Sequence, residues 1–254
     1  MRVALMQMQA MPGNLAGNIA QIEAAMRAEA RLGTRLVIAP ELALSGYGAG
    51  DAIRDLAEPV DGPSLQRLAE LSRRTGVALI LGFAERAEGI LYNSAAFLDG
   101  AAPPVIHRKT HLYGDYERAL FAPGTPRPGT VQCDGLRIGM LICYDVEFPE
   151  NVRPLAQAGA DLVAVPTALP CLPGSEFIAR SMIPVRAFEN QVFVAYADHA
   201  GADSRFSYAG LSSIAAPDGG VLARAGTGPA RIAARVDPAA FAASRAANTY
   251  LRDL

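Results

Sequence analysis

Ile138-Gly139-Met140-Leu141-Ile142-Cys143-Tyr144-Asp145-Val146-Glu147-Phe148-Pro149-Glu150 is the stretch on which the reading of this chain turns. An apolar run of strand length stops at Cys143, polar residues follow at once, and Pro149 stands where a helix would begin. A strand turning into a helix is the building unit of α/β folds, and here it sets a thiol in the elbow. Free backbone N–H groups and the positive end of a helix dipole are expected there, and both would lower the thiol pKa. The ordinary alternative is a buried structural cysteine, the commonest role of a free Cys. Cys133 and Cys171 suit that role better, since neither ends a strand that enters a helix.

Outward from this elbow the same alternation fills the chain. Strand-like runs cover Arg2 to Met8, Leu36 to Ala39, Val77 to Ala84, Ile90 to Leu98, Pro104 to His107, Leu162 to Val165 and Val192 to Ala197. Later strands are expected at Gly210 to Ala216, Gly220 to Ala223 and Ala230 to Val236. Asn14 can cap a helix with Leu15, Ile19, Ile22 and Met26 on one face. Pro63 to Arg74 and Ser175 to Glu189 read as further helices, and Glu88-Gly89 and Asp99-Gly100 as turns. No linker or charge run divides the 254 residues, which predicts one α/β domain spanning 1–254.

Composition narrows the classes. No apolar run approaches the roughly 20 residues of a membrane span, and no signal peptide is expected before the first strand-like run. A net charge of -2 with no basic stripe gives no electrostatic case for nucleic acid. Three irregularly placed cysteines are no disulfide framework and predict a reducing, cytoplasmic setting.

Three other stretches end an apolar run with sharply polar residues. Leu36-Val37-Ile38-Ala39-Pro40-Glu41 sets a carboxylate directly after a strand, a candidate general base or an exposed loop glutamate. His107-Arg108-Lys109-Thr110-His111 holds the one lysine among 23 Lys and Arg residues. An ammonium is a compact charge and a guanidinium a wide fork, so a tight site can require the lysine. Lys109 and Glu117 can also be a surface ion pair of little consequence. Arg186-Ala187-Phe188-Glu189-Asn190-Gln191 closes a helix before a strand and reads as a structural helix-end network.

Pro40-Glu41, Arg108-Lys109 and Cys143-Tyr144-Asp145, in this order and each at a strand end, resemble the nitrilase (carbon–nitrogen hydrolase) superfamily. Arg-Ala-Phe-Glu-Asn at 186–190 is similar to a later signature of that family, and the likeness spans essentially the whole chain. The resemblance implies a four-layer αββα sandwich, usually dimerised through helices. It also implies a Glu-Lys-Cys catalytic set without metal or cofactor. By position, Glu41 would be the base, Cys143 the nucleophile, and Lys109 with the Tyr144 N–H the oxyanion donors. Glu117 would match a second glutamate that orients substrate in aliphatic amidases of the family. Tyr116, Tyr144, Glu147 and Thr167 are expected to contact substrate.

The expected activity is a cysteine amidase that releases ammonia from a small aliphatic or amino-acid carboxamide through a thioester. The expected assembly is a homodimer or higher oligomer. Family nitrilases usually carry tryptophan after the nucleophile, where this chain has Tyr144. A nitrilase or an N-carbamoyl amide hydrolase is the runner-up, and a non-catalytic binding protein on this scaffold the alternative from another class. Relatives acting on amides of keto-diacids often have arginine where Glu147 stands. A glutamate there would repel acidic substrates and favour neutral or amine-bearing ones.

Overall fold

Two six-stranded sheets lie face to face, and the chain visits them in turn. The computed structural model describes residues 1–100, 102–126 and 129–253. In chain order the first half runs β1 (Arg2–Gln7), α1 (Leu15–Ala30), β2 (Leu36–Ile38), α2 (Ala52–Leu56), α3 (Pro63–Thr75), β3 (Ala78–Ala87), β4 (Ile90–Leu98), β5 (Val105–Arg108) and α4 (Gly114–Leu120). The second half runs β6 (Thr130–Cys133), β7 (Leu136–Met140), α5 (Pro149–Gln157), β8 (Leu162–Pro166), α6 (Ser175–Phe177), α7 (Ile183–Asn190), β9 (Phe193–Ala197), β10 (Ser213–Ala215), β11 (Val221–Arg224), β12 (Ala230–Arg235) and α8 (Ala242–Ala247).

The first sheet has the order β12-β1-β2-β3-β4-β5 and the second β11-β10-β9-β8-β7-β6. In each sheet three central strands are parallel and the outer strands antiparallel. The inner faces interlock: Leu5, Ile38 and Ile80 of one sheet pack in the same core as Ile138, Leu162 and Phe193 of the other. The outer face of the first sheet is covered by α1 and α3, through Ile22, Met26, Leu65 and Leu68. The outer face of the second is covered by α5 and α7, through Val152, Leu155, Ile183 and Ala187. This is the expected αββα sandwich. Each fully buried leucine or isoleucine contributes about 1.5–3 kcal/mol, so the layers are held mainly by area removed from water.

Local signals behave as their chemistry requires. The Asn14 side chain accepts from Gly17 N–H at 2.9 Å and caps α1. Glu88 and Gly89 both take positive φ, 51° and 80°, in the two-residue hairpin between β3 and β4.

Three expectations are corrected. The strand before Cys143 ends at Met140, and a 3₁₀ segment, Cys143–Glu147, separates it from α5. The expected helix from Ser175 to Glu189 is interrupted by a π segment, Ile178–Met182. Pro184 has no N–H to give the Arg180 carbonyl, and the wider turn absorbs that gap. Strand β6 and the short helices α2, α4 and α8 were not expected, since none carries a periodic apolar run long enough to read.

Candidate active site

The carboxyl ends of β2, β5, β7 and β8, drawn from both sheets, converge on one spot. Glu41 follows β2, Lys109 follows β5, Cys143 follows β7 and Thr167 follows β8. Strand ends are where an open sheet leaves backbone free to present side chains.

Glu41 is fully buried. Its N–H reaches the Thr167 carbonyl at 3.4 Å, and its own carbonyl accepts from His199 Nε2 at 2.7 Å. Burial lowers the His199 pKa, so the ring is neutral and Nε2 carries its proton. Gly82 of β3 passes so close that a Cβ there would lie 2.3 Å from Leu42 N and 2.5 Å from the Glu41 Cα. Only glycine allows that approach.

Lys109 is 1% exposed, and its Nζ donates to Glu41 Oε1 at 2.7 Å and to Glu117 Oε1 at 2.6 Å. Burial alone would lower the ammonium pKa, but the two carboxylates outweigh it and raise it well above the ordinary lysine value. The surface-pair alternative for Lys109 is thereby overturned. Glu117, in the first turn of α4, also accepts from the Tyr47 hydroxyl at 2.9 Å and from Tyr113 N–H at 2.8 Å. Burial raises its carboxyl to about 7, with Lys109 opposing and Glu41 adding to the rise.

Cys143 sits at φ 45°, a left-handed conformation costly for a side-chain-bearing residue. Leu42, directly after Glu41, has φ 48°. Both turns at this spot thus hold strained backbone. The thiol pKa is raised well above the ordinary value: burial acts first, Glu41 adds to it, and Lys109 and an Ala168 N–H bond oppose it. The expected lowering by a helix dipole does not occur. The helix begins only at Pro149, and the carboxylates next to the sulfur disfavour a thiolate. Burial and the neighbouring carboxylates thus favour the protonated thiol.

Cys143 opens into a cleft of about 150 Å3, with Tyr113, Tyr144, Glu147, Leu169 and Ile178 among its walls. Of the residues expected at substrate, Tyr144 and Glu147 are in this wall. Thr167 is buried beneath, with its hydroxyl on the Val165 carbonyl at 3.0 Å. Tyr116 stands apart from the cleft wall, its hydroxyl bonded to the Tyr47 carbonyl at 2.6 Å and the Gly50 N–H at 3.0 Å. It packs against Tyr47 and Phe206. The Glu147 carboxyl pKa is raised by burial, with Lys109 and Arg186 opposing. Among the described residues no hydrogen bond or ion pair reaches that carboxyl.

Arg186 carries out the structural role expected of its segment. Nε donates to the Val146 carbonyl at 2.9 Å and Nη2 to the Glu147 carbonyl at 2.5 Å, so α7 grips the turn that carries the thiol.

Sequence reasoning missed Asn93, Tyr47 and the part played by Asp145. Asn93 is a polar residue inside the apolar strand β4, and its Nδ2 donates to Glu41 Oε1 at 2.6 Å. A polar side chain in the middle of such a run was the available signal. Tyr47 lies in a glycine-rich turn with no periodic pattern, so nothing marked it.

A model of the carbon–nitrogen hydrolase family matches residues 2–246. The chain belongs to the carbon–nitrogen hydrolase family. It is 44% identical over 259 residues to a Pseudomonas protegens protein described as a hydrolase in the pqqF 5′ region, covering all of this chain and 88% of that one. It is 37% identical over 254 residues to an (R)-stereoselective amidase of a Pseudomonas species, covering all of this chain and 91% of that enzyme. Among solved structures it resembles a cysteine-to-alanine variant of an amidase from Nesterenkonia sp. AN1 in complex with butyramide. That match has a TM-score of 0.88 and 32% identity, covering all of this chain and 94% of that one. This hydrolase family cleaves carbon–nitrogen bonds, and the fold here is the nitrilase-like sandwich of those neighbours.

Proposed function

We propose that this carbon–nitrogen hydrolase is a cysteine amidase that hydrolyses a small aliphatic or amino-acid carboxamide to the acid and ammonia. The observation that carries the reading is the Lys109 ammonium, buried between Glu41 and Glu117 at 2.7 and 2.6 Å and electrostatically coupled to the Cys143 thiol at the floor of a small cleft. The amidase descriptions of two relatives support it.

In this reading Glu41 takes the Cys143 proton as sulfur attacks the amide carbon. A raised thiol pKa suits such concerted removal, because no free thiolate is exposed to side reactions between turnovers. Lys109 Nζ and the Tyr144 N–H stabilise the oxyanion. The Tyr144 amide lies in the first turn of a 3₁₀ segment, where N–H groups lack intrahelical acceptors. The tetrahedral adduct expels ammonia, protonated by Glu41, and leaves a thioester. Water deprotonated by Glu41 attacks the thioester, the acid departs, and the thiol is restored. Glu117 holds Lys109 and aims the amide.

The cleft supports this substrate class. Its volume suits a short chain, its walls are mostly apolar, and Glu147 adds one carboxyl, without a partner among the described residues, that favours a neutral or amine-bearing substrate over an acidic one. The same reading treats the chain as one domain over 1–254 and places it in the cytoplasm, supported by three free cysteines. This reading also has it assemble as a homodimer or higher oligomer, supported by Phe177 and Val185, which stand 64% and 50% exposed on the outer helical layer. The test is ammonia release from a panel of carboxamides, nitriles and N-carbamoyl amino acids, with Cys143→Ala as control. Turnover confined to carboxamides is expected. Faster turnover of nitriles or carbamoyl compounds, or activity that survives in Cys143→Ala, would overturn the assignment.

A further inference from the structure

We propose that Asn93 is a positioning residue that fixes which oxygen of Glu41 takes the thiol proton. The inference rests on the amidase reading above and concerns the same site. Glu41 Oε1 accepts two hydrogen bonds, from Asn93 Nδ2 at 2.6 Å and from Lys109 Nζ at 2.7 Å. Glu41 Oε2 is buried and receives none among the described residues. The two oxygens of this carboxylate are therefore chemically unlike. One is saturated with donors, and the other has its lone pairs free to accept a proton.

The terminal torsion of a glutamate is broad and nearly two-fold, so a single donor would leave either oxygen able to turn toward sulfur. Lys109 by itself is a poor lock, because its ammonium rotates its three donors and is shared with Glu117. Asn93 differs. It sits in the β3–β4 ladder opposite Ala84 and is 1% exposed, and its backbone carbonyl accepts the Lys109 N–H at 2.8 Å. One strand residue thus registers the lysine through its main chain and the glutamate through its side chain.

Its own Oδ1 is buried without a partner among the described residues. An unpaired buried carbonyl is a net cost. A side chain retained only for packing would not incur it, since leucine fills a similar volume without a polar group. In the transfer itself the S–H bond of Cys143 breaks, an O–H bond forms at Glu41 Oε2, and the electron pair stays on sulfur for attack on the amide carbon.

The experiment compares Asn93→Leu with wild type in the full chain. It measures hydrolysis of butyramide and alkylation of Cys143 by chloroacetamide in a Cys171→Ala background. Loss of alignment should lower kcat roughly ten- to a hundredfold, part of what general base catalysis supplies, with KM little changed. Alkylation should slow in step, while the thermal midpoint stays near that of wild type. In a Glu41→Gln background Asn93→Leu should slow alkylation no further, because a residue acting through Glu41 has nothing left to act on. If the leucine variant does not fold, Asn93→Ser withdraws the amide at smaller volume and is put through the same cycle. An additive loss in the Glu41→Gln background, or a raised KM at unchanged kcat, would overturn the proposal. If Glu41→Gln and Cys143→Ala both abolish turnover while Asn93→Leu keeps wild-type kcat, this inference alone fails. If either of those variants still turns over, the amidase reading fails.

Discussion

Asp145 holds Thr110 by two hydrogen bonds, from the threonine hydroxyl at 2.8 Å and from its N–H at 3.2 Å. It also accepts from His111 N–H at 2.8 Å and Ile142 N–H at 3.2 Å, with no exposure to solvent. One carboxylate therefore ties the loop just past Lys109 to the turn that bears Cys143. The loop that follows the ammonium-bearing residue and the turn that bears the thiol are thus pinned to each other through one side chain.

Asp145→Ala should cost on the order of 3 kcal/mol, because several partly or fully buried donors lose their acceptor together. Burial raises the Asp145 pKa, yet bonds from His107 and Thr110 and the charge on Lys109 bring it below the ordinary 3.8. A folded-state value below the unfolded one means the stabilisation is full above about pH 4 and is lost as pH falls through the folded value. Urea unfolding should show a wide gap between wild type and variant at pH 7 that narrows below pH 3.8. A gap that does not depend on pH would show that Asp145 contributes no ionic anchoring.

The three cysteines should separate cleanly. Cys171 is exposed, whereas Cys133 is buried with its thiol pushed up to about 11 by desolvation. Iodoacetamide should tag Cys171 first and leave Cys133 inert, and Cys143 should react at a rate that collapses in Glu41→Gln. Turnover should vanish in Cys143→Ala and persist in Cys133→Ala and Cys171→Ala. Similar losses in all three variants would dismiss Cys143 as the nucleophile.

Lys109→Arg should be nearly as damaging as Lys109→Ala. The ammonium is held between two carboxylate oxygens at 2.7 and 2.6 Å in a site closed to solvent, and a guanidinium fork does not fit there. Loss of an oxyanion donor costs about a hundredfold or more in kcat. Near wild-type kcat in the arginine variant would reduce the single lysine to coincidence.

Glu117 carries a pH signature. Its carboxyl is raised from 4.5 to about 7, first by burial. A folded value above the unfolded one contributes stability that is full below 4.5 and lost as pH rises through about 7. Glu117→Gln cannot ionise, so its thermal midpoint should gain on wild type between pH 5 and pH 8. Its kcat should fall steeply with a modest change in KM. Full kcat with raised KM would reassign Glu117 to ground-state binding.

Glu147→Gln should reorder substrates. Relative to a neutral aliphatic amide, an amino-acid amide should lose kcat/KM and a dicarboxylic monoamide should gain. A partly solvated charge contact should move these ratios roughly three- to thirtyfold, about 0.7 to 2 kcal/mol. A uniform loss with unchanged ratios would make Glu147 structural.

Much of this architecture is legible in the chain because the signals are local. Period-two and period-3.6 apolar runs mark the long strands and α1 and α3, and Asn14 and Glu88-Gly89 mark a cap and a turn that form as written. Glu41, Lys109 and Cys143 stand out because each follows a strand, and a strand end is a property of neighbouring residues. Tertiary structure alone decided the rest. Asn93 lies 52 residues from Glu41 along the chain, yet donates to it at 2.6 Å. Tyr47 reaches Glu117 across 70 residues. The thiol pKa rises because burial and two carboxylates meet at one sulfur, whereas the local pattern of strand and helix pointed to a fall. Desolvation and Coulomb interaction act through space over a few ångströms, so they depend on which strands become neighbours, and a one-dimensional pattern carries no measure of that distance.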